Sequence, residues 1–252
     1  MGLITITDKV RRDLASQGFA WIPRPAWSLG PRWESHWQRL CGDWDHLELD
    51  LYLAEGTRFR LRRYGRYFWS PANDELAALP HEPYFQPVDE NRYAGGIERD
   101  FALLLPETVH NPFLHALVRS TFACLPVAVD RGDASWEVRI HQIRTVASAK
   151  VPGLPAPEGI HQDGTDFLTL HLVRRQNIVG GESTIYDLKR RPLQRFTMRE
   201  PLDSMILQDP RIMHGVTPVV PADGRTIGIR DILGIDFIFS PDLQRPNEHR
   251  CS

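Results

Sequence analysis

The chain has 252 residues and a 42% apolar share, which is enough for one sizeable core and sits near the upper size of a single domain. Lys and Arg (30) nearly balance Asp and Glu (32), giving a formal net charge of -2, which argues against a broad surface for nucleic acid or membrane. No apolar run is long enough for a membrane helix and no leader peptide is recognised at Met1; the three cysteines, Cys41, Cys124 and Cys251, are scattered without a zinc-type pair, so the chain reads as a cytoplasmic protein with reduced thiols.

Thr7 to Gln17 reads as a short amphipathic helix with Val10 and Leu14 on one face, ended by Gly18. Phe19 to Pro23 follows as a strand. Pro31 to Cys41 reads as a second helix, with Pro31 at its start and Gly42 at its end. Arg58 to Ser70 alternates aromatic and basic residues and suggests a strand pair broken at Gly65. Pro71 to Gly96 has loop composition with room for a little helix, Ala102 to Leu105 suits a strand or a helix start, and Pro112 to Cys124 is helical.

From Ser135 the texture changes. Trp136 to Ile143 alternates strictly, and Phe167–Val173, Glu182–Tyr186, Met205–Leu207, Gly215–Val220 and Ile227–Phe239 follow as short strands punctuated by Gly, Pro and Asp. This spacing predicts a mainly β fold with flanking helices, of the jelly-roll or barrel type. No linker divides the chain, so residues 1–252 are expected to form one domain: a helical and mixed N-terminal support over 1–134, a β core over 135–240 and a polar tail over 241–252.

Within the β-rich part, His161-Gln162-Asp163 places an imidazole and a carboxylate two residues apart, and so on one side of an extended segment. Adding a second histidine from a later strand gives two His and one carboxylate on one face of a divalent ion such as Fe(II), leaving positions open for a bidentate acid and for O2. His214 lies 51 residues after Asp163 and precedes an alternating strand. His171 is too near in sequence to come from a distant strand, and His249 lies in the tail. Chance alone supplies about one His-x-Asp triplet in a chain of this composition, so the triplet gains meaning only alongside His214, the β texture and a suitably placed arginine.

A dicarboxylate that chelates such a metal through one end needs a guanidinium for the other. Arg225 and Arg230 both follow His214. Ala222-Asp223-Gly224 is a turn signal, and a hairpin bent there sets His214 opposite about residue 232, which favours Arg230 over Arg225. Ile227, Ile229 and Asp231 are then expected on the face opposite Arg230.

Several segments together carry a resemblance: His141-Gln142-Ile143-Arg144, Pro157 to Gly164 around the triplet, Arg174 to Asn177, Gly180-Gly181-Glu182-Ser183, Leu207 to Thr217 around His214, and Arg230-Asp231-Ile232-Leu233 running into Asp236-Phe237. Over about residues 136–240 the chain resembles the bacterial 2-oxoglutarate/Fe(II) dioxygenases of the L-isoleucine 4-hydroxylase type. The resemblance implies a double-stranded β-helix (jelly roll, cupin-like), Fe(II) on His161, Asp163 and His214, and 2-oxoglutarate on Arg230. It also implies hydroxylation or sulfoxidation of a free L-amino acid or related small molecule, with succinate and CO2 as co-products. The family's usual short interval between its last His and the co-substrate Arg keeps Arg225 a candidate.

Thr169 and His171 share a strand face and are candidates to touch the co-substrate, while Gln142 and Arg144 are candidates for the substrate side of the pocket mouth. Tyr93, Arg99 and the Arg60 to Tyr67 cluster are candidate binders of an amino-acid carboxylate. Gly180-Gly181 reads as a tight turn, and Glu158 and Asp187 as structural or exposed. A homodimer is possible, and neither nucleic acid nor membrane is an expected partner. The competing readings are a dioxygenase that repairs alkylated nucleic acid, and a β-helix that binds a metal or small acid without turnover.

Overall fold

The computed structural model describes residues 2–53, 58–88, 93, 95–128, 131 and 134–246. Helices α1 (Thr7–Gln17), α2 (Pro31–Gly42), α3 (Pro106–Val109) and α4 (Pro112–Phe122) occupy the first half of the chain. α1 buries Val10 and Leu14 and stops at Gly18, whose φ of 82° gives the left-handed turn. α4 opens on Asn111, whose side chain accepts the N–H groups of Phe113 and Leu114.

The strands are β1 (Phe19–Ile22), β2 (Glu48–Leu49), β3 (Arg60–Ser70), β4 (Glu75–Ala78), β5 (Trp136–Ala147), β6 (Phe167–Gln176) and β7 (Ile178–Gly180). They continue as β8 (Ser183–Tyr186), β9 (Pro192–Phe196), β10 (Ser204–Leu207), β11 (Met213–Val216), β12 (Val219–Pro221) and β13 (Gly228–Phe239). An eight-stranded sheet runs β1-β10-β6-β13-β5-β3-β2, with β4 on the edge of β3; β11-β8-β9 and β12-β7 form two smaller antiparallel sheets. This is the double-stranded β-helix that the resemblance implies, and it is of the jelly-roll type that the strand spacing predicts.

The large sheet is covered on both faces, so polar residues of its central strands, among them Glu137, His141, Gln142 and Asp236, are buried beside the apolar ones. On one face Val138, Ile140, Leu233, Ile235 and Phe237 join Leu14, Leu40, Trp44, Phe113 and Leu117 in the main core. On the other, Leu168, Leu172 and Ile232 cluster with Ile185 of β8. A residue's parity along β5, β6 or β13 therefore decides whether it meets the helices or the interior of the β-helix, and the functional site lies on the interior side.

Three sequence expectations need correction. First, Gly65 does not break a strand pair: β3 passes straight through it, because a Cβ there would sit 2.6 Å from Leu104 Cδ1, and the missing side chain is the space Leu104 fills. Second, 1–134 is more than a support, since β1 and β3 are members of the large sheet.

Third, the turn at Ala222-Asp223-Gly224 forms, with Asp223 accepting the N–H groups of Arg225 and Thr226, but it does not close a hairpin with β13. Gly215 to Val220 is divided between two strands: β11 pairs with β8 and β12 with β7, while β13 lies between β5 and β6. Gly180 takes φ 81° where a Cβ would meet the Pro218 carbonyl, which fixes that crossing. Pro192–Phe196 and Ile178–Gly180 are further strands, beyond those predicted from the apolar runs. His249, Cys251 and the end of the expected tail lie outside the described residues.

Candidate metal centre and active site

His161 and Asp163 lie on the segment between β5 and β6, and His214 on β11. His161 and His214 exchange both backbone hydrogen bonds, at 2.9 and 3.0 Å, so a two-residue antiparallel bridge clamps the triplet to the strand carrying the third ligand. One donor atom from each of His161, Asp163 and His214 falls within 4.8 Å of the others. Asp163 Oδ1 is 3.7 Å from His161 Nε2 and Asp163 Oδ2 is 3.6 Å from His214 Nε2. These atoms converge without bonding to one another, and the buried Asp163 Oδ2 has no hydrogen-bond partner, as fits a shared divalent cation. His161 Nδ1 donates to the Gly159 carbonyl at 3.0 Å, leaving the Nε2 lone pair for the metal.

The electrostatics are those of a site waiting for a positive ion. Burial pushes the Asp163 carboxyl up to about 6, against the pull of His161. Burial, and then His161, hold the His214 imidazole well below its ordinary value. For His161, burial opposes the charged form, but Asp163 and Glu158 outweigh it and raise the pKa. Glu158, expected to be structural or exposed, instead lines the pocket with Oε1 3.1 Å from His161 Nε2.

Asp209 was not singled out in the sequence, yet it shapes the metal loop. Its buried carboxylate accepts the N–H groups of Asp163, Gly164 and Thr165, at 2.8 to 3.2 Å. Gln162 Nε2 meets the Asp209 carbonyl. This fan of donors fixes the backbone from which Asp163 projects. The only advance signal was Asp209-Pro210, a turn former just before the distal ligand.

The triad sits in the wall of a pocket of about 880 Å3, counted out to its open mouth. Arg230 enters it from β13, alongside Ile232, Gly234 and Asp236. It is 5% exposed, its Nη2 has no hydrogen-bond partner, and burial followed by Arg175 lowers its pKa to about 10, so it stays cationic at neutral pH. Arg225 is exposed on the turn after β12 and is not among the lining residues. Arg230 thus shares the pocket with the triad from the large sheet, while His214 sits in the smaller β11-β8-β9 sheet, and no shared hairpin joins them.

The parity of the strands separates the other candidates. Thr169 and His171 point away from the pocket, because Leu168 and Leu170 are the residues of β6 that line it. His171 lies against Trp27 and bonds Thr169 Oγ1 and Ser204 Oγ, a satisfied histidine of the helix-side core. Gln142 and Arg144 alternate with the lining residues His141, Ile143 and Thr145, and so face the helices. Arg144 bonds Asp231 through Nε and Nη2, at 2.7 and 2.8 Å. These four residues are not brought to the site. Asp231 faces away from Arg230 as expected, while Ile227 is exposed beyond the end of the strand.

Beside β13 in the same sheet, the wall is continued by His141 on β5 and by Arg60 and Arg62 on β3, with Tyr84, Gln86, Arg99 and Tyr93 also on the lining. Arg60 is neutralised by Asp50 at 2.7 Å. Arg62 Nη2 hydrogen-bonds His141 Nδ1, and His141 Nε2 lies 2.9 Å from Asp236 Oδ2. A guanidinium can only donate, so His141 accepts on Nδ1 and donates from Nε2 to Asp236. Burial, then Arg62, hold His141 neutral by depressing its pKa.

The profile of the family described as 2OG-Fe dioxygenase matches residues 42–236, most of the chain and all three metal ligands. The chain belongs to that family. It is therefore a non-haem iron enzyme whose family uses Fe(II) and 2-oxoglutarate, and the donors of His161, Asp163 and His214 fit that ion.

Among its relatives, 3(1)-hydroxy-L-isoleucine 4-dioxygenase of Pantoea ananatis is 25% identical over 236 residues, covering 89% of this chain and 93% of the relative. A crystal structure of a bsmA homolog from Methylobium petroleophilum PM1 superposes with a TM-score of 0.78 at 27% identity, covering 98% of this chain and 96% of the other. The fold is also that of IDO from Bacillus thuringiensis, with a TM-score of 0.79 at 23% identity over 93% of this dioxygenase and 99% of that chain. Among the described residues no helix is long and apolar enough to cross a membrane.

Proposed function

We propose that this dioxygenase oxidises a free L-amino acid or a related small acid, hydroxylating carbon or oxidising sulfur, with succinate and CO2 as co-products. The observation that carries the reading is the placement of a buried guanidinium without a partner, Arg230, in the same pocket as the metal triad. In this reading Arg230 takes the far carboxylate of 2-oxoglutarate, because its rigid fork suits a carboxylate held away from water. The amino-acid part is supported by the similarity to the 3(1)-hydroxy-L-isoleucine 4-dioxygenase of Pantoea ananatis.

Bound Fe(II) with 2-oxoglutarate supplies the activation of O2. The chain's own work is positional: His161, Asp163 and His214 hold one face of the ion, Arg230 orients the co-substrate, and Leu168, Leu170 and Ile232 line the pocket with apolar side chains that displace water. A panel of free L-amino acids that includes isoleucine, leucine, methionine and norleucine, scored for succinate release and the mass gain of one oxygen, tests it. Turnover with at least one of them, abolished in His214→Ala, is the expected result. Inertness of the whole panel beside oxidation of a peptide would overturn the substrate class and leave the chemistry standing.

A further inference from the structure

Arg62 and Arg99 are buried cations on which the charges of Asp50 and, for Arg62, Asp236 act without direct contact. They are 8% and 2% exposed, and neither makes an ion pair with a described carboxylate; the Nε of each has no hydrogen-bond partner. Leaving two guanidiniums in that condition is costly unless an anion completes them. The acids that might have served are engaged elsewhere: Asp50 pairs with Arg60 and Asp236 bonds His141.

Both arginines are also held in place. The Arg62 guanidinium lies 4.4 Å from the Phe101 ring centroid and the Arg99 guanidinium 4.7 Å from that of Tyr84. Asp236, through His141, fixes one end of Arg62. Arg99 Nη2 donates to Gln86 Oε1 at 2.6 Å, and Gln86 Nε2 donates to the carbonyl of Asp163 at 3.0 Å. Arg99 is thereby tied through one side chain to the backbone of a metal ligand.

We infer that Arg62 and Arg99 form a second anion subsite in the pocket, distinct from Arg230, which reads the carboxylate of the substrate. This rests on the proposed function, in which Arg230 serves 2-oxoglutarate. Two carboxylates then enter one pocket at two separate cationic positions, the co-substrate on the β13 wall and the substrate on the β3 wall. Both keep their reactive carbons near the triad. A carboxylate suits two guanidiniums, which only donate, whereas a neutral carboxamide adds N–H groups that neither guanidinium can accept. His141, Asp236 and Gln86 act as positioning residues for the two arginines.

The experiment pairs each free L-amino acid of the panel with its carboxamide in the wild-type enzyme, reading succinate and oxygenated product, and repeats the active pairs in Arg62→Met and Arg99→Lys. Binding of 2-oxoglutarate to the anaerobic iron protein is followed separately by its visible absorption. We expect a reactive acid to lose about tenfold or more in kcat/KM as its carboxamide. We also expect Arg62→Met to raise the KM of the acid by a similar factor while the 2-oxoglutarate titration is unchanged. Arg99→Lys keeps a cation and should lose less, which guards against misfolding as the explanation.

Carboxamides that react as well as acids, or a panel in which no acid reacts although iron and 2-oxoglutarate bind, would overturn the subsite and leave the enzyme class intact. A 2-oxoglutarate titration weakened by Arg62→Met would show that the two anion positions are exchanged, and would overturn it too. Failure of the wild-type protein to bind iron and 2-oxoglutarate would remove the proposed function itself.

Discussion

Asp209 accepts the backbone N–H of Asp163 through both of its oxygens, at 3.1 and 3.0 Å, and one of those oxygens also takes the N–H groups of Gly164 and Thr165. The metal-binding carboxylate is thus positioned by a second, buried carboxylate that does not reach the ion. Burial, and then the Asp163 charge, push Asp209 up to about 7 against those donors. Asp209→Ala removes the fan and frees the loop. Metal affinity should fall by about 10- to 100-fold, the usual scale for groups that orient a ligand, with Asp209→Asn losing less because one acceptor oxygen remains. A competition titration with cobalt(II) measures it, and equal affinity in Asp209→Ala would show that the loop holds its shape unaided.

Metal binding should release protons and strengthen with pH. In the metal-free protein Asp163 titrates at about 6 and His161 above its ordinary value, whereas both must be deprotonated to ligate. Below about pH 6 the ion competes with protons at both groups, and at His161 the competition continues above the ordinary histidine value. The thermal stabilisation given by a fixed cobalt(II) concentration should therefore be small at pH 5 and grow as the pH rises through 6 and past the ordinary histidine range. A stabilisation that did not vary with pH over this window would mean that the triad is not where the ion binds.

The fold was legible from the second half of the chain because strand-length apolar runs separated by Gly, Pro and Asp report local geometry directly. The triad was legible for the same reason: i, i+2 spacing on an extended segment needs no knowledge of the tertiary fold. Facing was harder to read. Gln142, Thr169 and His171 lie in the expected strands, and Arg144 one residue beyond its own, but both faces of those strands are buried, so alternation could not say which face meets the pocket. Partner choice was harder still. A turn at Asp223 looks like a hairpin from the sequence, yet β12 left for β7, and Arg230 reached the site from the other sheet. Asp209 and Gln86 escaped notice because their roles are bonds to backbone groups 46 and 77 residues away, which no local pattern encodes.

Arg230 and Arg225 make opposite predictions. Arg230→Met removes a buried cation from the pocket wall, and the KM for 2-oxoglutarate should rise by about tenfold or more, the scale of a lost charge-assisted hydrogen bond. Arg225→Ala alters an exposed turn residue whose backbone N–H, not its side chain, is held by Asp223, and should leave that KM unchanged. Steady-state kinetics in 2-oxoglutarate at saturating substrate decides the matter. A larger effect from Arg225 would require the turn to fold over the pocket and would remove Arg230 from the co-substrate.

Arg144 is predicted to matter for stability and not for catalysis. Its bidentate partner Asp231 is fully buried, and with Arg144→Met the nearest remaining cation is Arg174, with Nε 3.5 Å away. An unpaired buried carboxylate costs about 3 kcal/mol, and Arg174 should recover part of that. Burial already raises the pKa of Asp231, with Arg144 the chief group holding it down, so the substitution raises it further. A raised carboxyl binds protons in the folded state that the unfolded chain has released, so stability falls as pH rises from the ordinary carboxylate range through the folded pKa. The deficit of Arg144→Met in urea unfolding should therefore be greater at pH 7 than at pH 4. It should shrink in the double variant Arg144→Met/Asp231→Asn, which leaves no charge to strand. If the single variant unfolds like the wild type but shows a raised KM for substrate or 2-oxoglutarate, the side chain reaches the pocket after all and its pairing with Asp231 is incidental.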